Sequence, residues 1–170
     1  MAIIDALKEQ ARAHLPGWPL GLLRIATGIM FLLPGWGKVT GGFSAEGFVQ
    51  GSIAGFPDDD AQAGAADWYA WFLENLVMAA PGLFSFLVAW GELLMGLALI
   101  FGVASRLAAA LGAFLLLNFH LAKGIDFWAA SNYDAIWVLI FLTLAFTAAG
   151  RVFGVDEYLY RRWPQGRWIW

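Results

Sequence analysis

Residues 82–103 read GLFSFLVAWGELLMGLALIFGV, an apolar run broken by a single ionisable side chain, Glu92, close to its middle. About 20 apolar residues rising 1.5 Å each are enough to cross the ~30 Å hydrocarbon core of a bilayer. Lipid offers no hydrogen bonds, so such a segment must pair its own backbone groups as a helix. A carboxylate at that depth is costly and normally faces other protein, with a partner in reach. The remaining chain must therefore supply both a bundle to cover this helix and a cation to meet Glu92.

Three further apolar runs can build that bundle, at about 18–39, 105–122 and 133–149. Only 14% of the residues are charged, against about 25% in soluble domains, and 61% are hydrophobic. The chain reads as one domain over 1–170, an all-α integral membrane protein built as a four-transmembrane-helix bundle. An outer segment (40–81) separates the first two spans, and a tail (150–170) follows the last. Pro34, Gly35 and Gly37 lie close together before Lys38, which predicts a kink or an end to the first span there.

The N-terminus is not a signal peptide, because Asp5, Lys8, Glu9 and Arg12 interrupt the place of an apolar core. Ile3, Ile4, Leu7 and Ala11 recur at helical spacing, which fits an amphipathic helix on the membrane surface; a partly ordered tail is the alternative. The outer segment is acidic (Glu46, Asp58, Asp59, Asp60, Asp67 and Glu74) and holds two expected interfacial helices. One covers 43–56, with Gly47, Gly51 and Gly55 as a flat packing face. The other covers 67–77, capped by Asp67, with Trp68, Trp71, Phe72 and Leu76 on one side. Four spans place both termini on one side. Lys8, Arg12, Arg106, Arg151, Arg161, Arg162 and Arg167 fall on that side and only Lys38 and Lys123 on the other, so the termini are expected in the cytoplasm.

Several chemistries are excluded or unsupported. There is no cysteine, hence no disulfide, thiolate, cysteine-ligated iron–sulfur cluster or c-type haem attachment. The two histidines, His14 and His120, fall at opposite membrane surfaces about 30 Å apart, too far to hold one haem together. No span carries H-x-x-x-H or E-x-x-H, so no metal is expected. A net charge of −3 gives no footprint for nucleic acid. The expected partners are the lipid bilayer and other subunits of a membrane complex.

The polar residues that remain fall into two layers. Arg24 enters the first span from the inside by roughly 9 Å, leaving a gap of about 6 Å to Glu92. An Arg24–Glu92 ion pair follows as the expected structural clasp, paired charge being the tolerable form of buried charge; Glu92 as a proton-relay or ligand carboxylate is the functional alternative. The second layer lies at the outer ends of three spans and contains Trp36, Lys38, Asn118, His120, Lys123, Asp126, Trp128 and Asp134. Of these, Trp36, Lys38, Asn118, His120 and Asp134 make a candidate pocket for a quinone, whose carbonyls need donors and whose reduction needs a titratable group. Snorkelling lysines and a capping aspartate are the plainer explanation. Of the ten tryptophans, Trp18, Trp36, Trp128, Trp163, Trp168 and Trp170 fall at interfaces, while Trp90 and Trp137 lie inside spans as packing residues.

Three segments carry a resemblance. LLRIATGIMFLLPGWGK (22–38) resembles the first span of the DoxX/DoxD family, with an arginine at its start and G-x-x-K at its end. WGELLMGLALIFGVASRLAA (90–109) resembles that family's second span, and NYDAIWVLIFLTLAFTAAGR (132–151) is similar to the last span of DoxD-type members. The resemblance implies a four-helix bundle in a bacterial cytoplasmic membrane, with Arg24, Lys38, Glu92, Arg106 and Asp134 at the matched positions. The DoxD type implies the membrane subunit of a thiosulfate:quinone oxidoreductase. A non-catalytic accessory subunit of a larger respiratory or photosynthetic complex is the alternative, since the segment 57–81 and the Trp-rich tail depart from a minimal member and suit docking.

Overall fold

The computed structural model describes residues 17–55, 64–129, 131–166 and 169. The expected N-terminal amphipathic helix, the acidic run 58–60 and part of the Trp-rich tail lie outside the described residues. Every regular element among the described residues is helical.

Helix α1 (Trp18–Gly41) opens with proline in its first turn, where a missing N–H costs nothing, and continues past Pro34 to Gly41. The helix therefore does not end at 34–38. Gly35 has a different purpose there: a Cβ on it would lie 2.5 Å from the backbone nitrogen of Leu93. Helix α2 (Ala45–Ala54) is capped by the Ser44 hydroxyl, which accepts from the Gly47 N–H at 3.1 Å. Its buried face is Ala45, Val49 and Ser52, so the glycine stripe of that segment is not its packing surface. Helix α3 (Asp67–Phe72) is preceded by Ala66 rather than capped by Asp67, and Leu73–Val77 continues it as a π-helical turn. Tyr69, Leu73 and Val77 turn inward, while Trp68, Trp71 and Leu76 are exposed.

Helices α4 (Pro81–Phe101), α5 (Ser105–Lys123) and α6 (Tyr133–Thr147) complete the bundle. Gly102 and Ala104, both with left-handed backbone, make the tight turn from α4 to α5. Helices α1, α4 and α5 are each long and apolar enough to cross a membrane. Helix α6 is apolar but has 15 residues, a rise of about 22 Å, so length alone does not qualify it as the expected fourth span. A 3-10 turn (Ala149–Arg151) and α7 (Val155–Arg162) follow it.

The bundle is two close antiparallel pairs. Helices α1 and α4 touch at backbone distance, for a Cβ on Gly96 would lie 2.6 Å from Leu32 N and one on Gly28 would lie 2.8 Å from Ile100 N. Small residues at a membrane helix contact allow this approach and the dispersion contacts that come with it. Helix α5 meets α6 where Gly112 receives the Phe141 ring. Phe31, Met95, Leu99, Leu116, Val138, Phe141 and Leu144 fill the centre. Phe31 stands edge-on to Phe141 and Trp137, with centroids 4.8 and 5.3 Å apart, so Trp137 is a packing residue. A second, smaller core joins α2 and α3 to one end of α5 through Val49, Tyr69, Leu73 and Ala122. Leu33, Leu83, Leu94, Phe114 and Phe146 point outward as an apolar belt suited to lipid.

Candidate functional site

Glu92 lies one residue from the Gly35–Leu93 contact, so its carboxylate is delivered into the seam between α1 and α4 and is 3% exposed. Its partner is Lys38, from the last turn of α1. The Lys38 ammonium also lies 5.2 Å from the ring centroids of both Phe43 and Phe119. Those two faces supply quadrupole attraction that a partly desolvated cation lacks elsewhere. The second oxygen of Glu92, Oε2, has no hydrogen-bond partner among the described residues.

The expected Arg24–Glu92 pair is therefore corrected. Arg24 is fully buried at the other end of the seam, where its Nη1 and Nη2 donate to the carbonyls of Gly150 and Phe153, each at 3.4 Å. Gly102 and Gly154 leave room for the guanidinium, since a Cβ on either would collide with it. The level of Arg24 is thus that of Gly102, about 15 Å along α4 from Glu92. Asp156 closes the same junction: it accepts from Ala104 N–H at 2.7 Å and Ser105 N–H at 2.9 Å, and its own N–H donates to Gly102 O at 2.7 Å. Its charge falls on the first turn of α5, where the helix dipole favours an anion, and it offsets Arg24. Asp156 was not singled out by the sequence; the only hint was an acidic residue following the A-G-R run.

The five residues of the candidate outer pocket do not converge. Trp36 points outward. Lys38 belongs to Glu92. Asp134, at the start of α6, pairs with Lys123 at 2.7 Å. Asn132 caps α6 by accepting from Ala135 N–H through Oδ1 at 3.1 Å, so its amide NH2 must face His120 Nδ1, 2.9 Å away, and the Asp126 carbonyl at 3.0 Å. That geometry makes Nδ1 of His120 an acceptor and puts the ring proton on Nε2. His120 is buried against Phe127. These contacts tie α5 to α6 and give each of these side chains a partner of its own. Asn118 is drawn elsewhere as well, because its Oδ1 accepts from the Tyr69 hydroxyl at 2.8 Å while its NH2 donates to Phe114 O at 2.7 Å.

Tyr69 and Asn118 border an apolar cleft of about 620 Å³ between α4 and α5. Helix α4 contributes Leu87, Gly91 and Leu94, and α5 contributes Leu111 and Phe114. Phe43, Phe48 and Phe119 bound it on the side where Lys38 lies. No charged side chain lines it among the described residues. Burial pushes the Tyr69 phenol up to about 12, from the usual 10, so it stays a hydrogen-bond donor at any physiological pH. Sequence reading missed Tyr69 because it stood beside the more conspicuous Trp68 and Trp71. Its spacing with Leu73 and Val77 was the available signal for a buried face.

Fold and site together define a polytopic helical membrane protein with a buried ion pair in one helix seam and a lipophilic cleft beside it. The DoxX family matches the chain over residues 20–122, which takes in α1 to α5, and the chain belongs to that family. No curated protein and no solved structure matches it.

Proposed function

We propose that this DoxX-family protein is the membrane subunit of a quinone-linked oxidoreductase of the thiosulfate:quinone type, with the quinone held in the α4/α5 cleft. The cleft is the observation that carries the reading. Its volume falls within the range of small-molecule sites, roughly 300–1,000 Å³, and it combines apolar walls with a few polar groups that can orient a ligand. The lining residues fit such a group: Leu87, Leu94 and Leu111 would hold an aliphatic tail, and Tyr69 and Asn118 would meet a carbonyl. A bound quinone would supply the acceptor for two electrons and two protons; the electrons would come from the donor through a partner subunit and the protons from bulk water, since no charged side chain lines the cleft among the described residues.

In this reading the chain crosses a bacterial cytoplasmic membrane four times, α6 completing its crossing with the 3-10 turn behind it. The end holding Arg24 and Asp156 faces the cytoplasm, as the arginine-rich side of the positive-inside pattern. A second reading, an accessory subunit of a larger respiratory or photosynthetic complex, draws on the exposed rings of Trp68, Trp71 and Trp128. Purification from native membranes in mild detergent separates the two. Stoichiometric quinone with a small redox partner is the expected result. Recovery inside a pigment- or haem-bearing complex, with quinone no higher than in bulk lipid, would favour the accessory role instead.

A further inference from the structure

We propose that the Tyr69–Asn118 pair is the recognition point for the head of a neutral, carbonyl-bearing lipid whose aliphatic tail fills the α4/α5 cleft; the proposal rests on the quinone reading and names the residues that select the head group. Three observations lead to it. The cleft has a polar end, since Tyr69 and Asn118 are its two hydrogen-bonding side chains and they meet each other at 2.8 Å. An incoming carbonyl can take the Tyr69 hydroxyl from Asn118 at the cost of one exchangeable hydrogen bond, while Asn118 keeps its own bond to Phe114 O. The wall behind them is the π-helical turn Leu73–Val77, a rare winding frequent at functional sites, and it sets Leu73 and Val77 beside Tyr69 on the cleft.

Charge decides the class of head group. A phosphodiester drawn into this cleft would leave water without meeting a cation, because no charged residue lines it among the described residues and the ammonium of Lys38, beside Phe43 and Phe119, is already committed to Glu92. A neutral ring carbonyl needs only a donor, which Tyr69 supplies. The tail has its own place: Gly91 lies on the cleft, and a Cβ added to it would meet no atom within 4 Å. Leu87, Leu94, Leu111 and Phe114 all line the cleft and are all exposed, so the opening faces the surrounding lipid.

The test uses the full chain in uncharged-lipid nanodiscs and a benzoquinone carrying a decyl tail, read by quenching of intrinsic tryptophan fluorescence, with decylbenzene as a tail-only competitor. Tyr69→Phe should weaken the quinone about three- to tenfold, the worth of one hydrogen bond, and leave the decylbenzene competition constant unchanged. Gly91→Leu should weaken both by more than tenfold by occupying the tail's place. If Gly91→Leu removes binding but Tyr69→Phe does not, the head-group assignment is overturned and the cleft reading stands. Undiminished quinone binding in Gly91→Leu overturns both. Displacement of the quinone by phosphatidylglycerol at similar concentrations would show the cleft to be a phospholipid site and overturn the proposal as well.

Discussion

Helix α4 has two faces, and a glycine on each shows how differently they are used. Gly96 faces α1, where a Cβ would strike the Leu32 backbone at 2.6 Å; Gly91 lines the cleft, where a Cβ would meet nothing within 4 Å. The first glycine permits two helices to touch, and the second leaves a space. The same residue type therefore marks a sealed seam and an open one, five positions apart. The sealed seam carries the buried charge, with Glu92 held by Lys38, and the open one carries the apolar cleft with its Tyr69–Asn118 end. A buried ion pair needs a rigid, dry frame to hold its geometry, whereas a lipophilic ligand needs room and a way in from the bilayer.

The largest effect should come from forcing the sealed seam apart. Gly35→Leu would set a branched side chain against the Leu93 backbone, with no rotamer that escapes, and should destabilise the protein by at least about 3 kcal/mol. Denaturant titration of secondary structure in mixed micelles would measure it, and a loss below about 1 kcal/mol would mean that the helices are not in backbone contact.

Next come the partners of the ion pair, which should not be equivalent. Lys38→Met leaves Glu92 buried and unpaired, with an expected loss of about 3 kcal/mol. Glu92→Leu leaves Lys38, whose side chain is 25% exposed and can turn toward the surface, so about 1 kcal/mol is expected. The double substitution should recover part of the Lys38→Met loss, and strict additivity of the two would contradict a direct pair.

On the open side the effect is confined to alkaline pH. A phenol held at about 12 in the folded chain and about 10 when unfolded binds its proton more tightly when folded. Stability should therefore be intact below pH 10 and fall as the pH rises from about 10 to about 12. Tyr69→Phe should flatten that decline in a series of melting curves, and an unchanged pH slope would place Tyr69 in contact with water.

Hydropathy made the helices legible, because a lipid-facing segment must be apolar along its whole length. The helix near residue 67 was legible from its aromatic spacing. Pairing was not, because it depends on helix register. Arg24 and Lys38 are about four turns apart on one face of α1, so either could meet a carboxylate on α4. Depth counted from the membrane surface favoured Arg24. The close approaches of Gly28, Gly35 and Gly96 choose Lys38 by setting Arg24 level with Gly102. The outer polar residues were found individually but grouped wrongly, since hydrogen-bond partners such as Asn132 for His120 and Tyr69 for Asn118 come from segments whose path the periodicity does not give. The cleft is a property of packing and has no sequence signature beyond Gly91.

The most direct measurement compares Gly91→Leu with Gly96→Leu by thermal unfolding in one detergent, each with and without the decyl benzoquinone. Gly91→Leu should melt within about 2 °C of the parent chain, given the few tenths of a kcal/mol expected when a side chain enters open space, and should lose the rise in melting temperature that the quinone gives the parent. Gly96→Leu should melt far lower or fail to fold. Equal losses in the two variants, or an undiminished quinone effect in Gly91→Leu, would contradict a helix with one sealed face and one open, ligand-holding face.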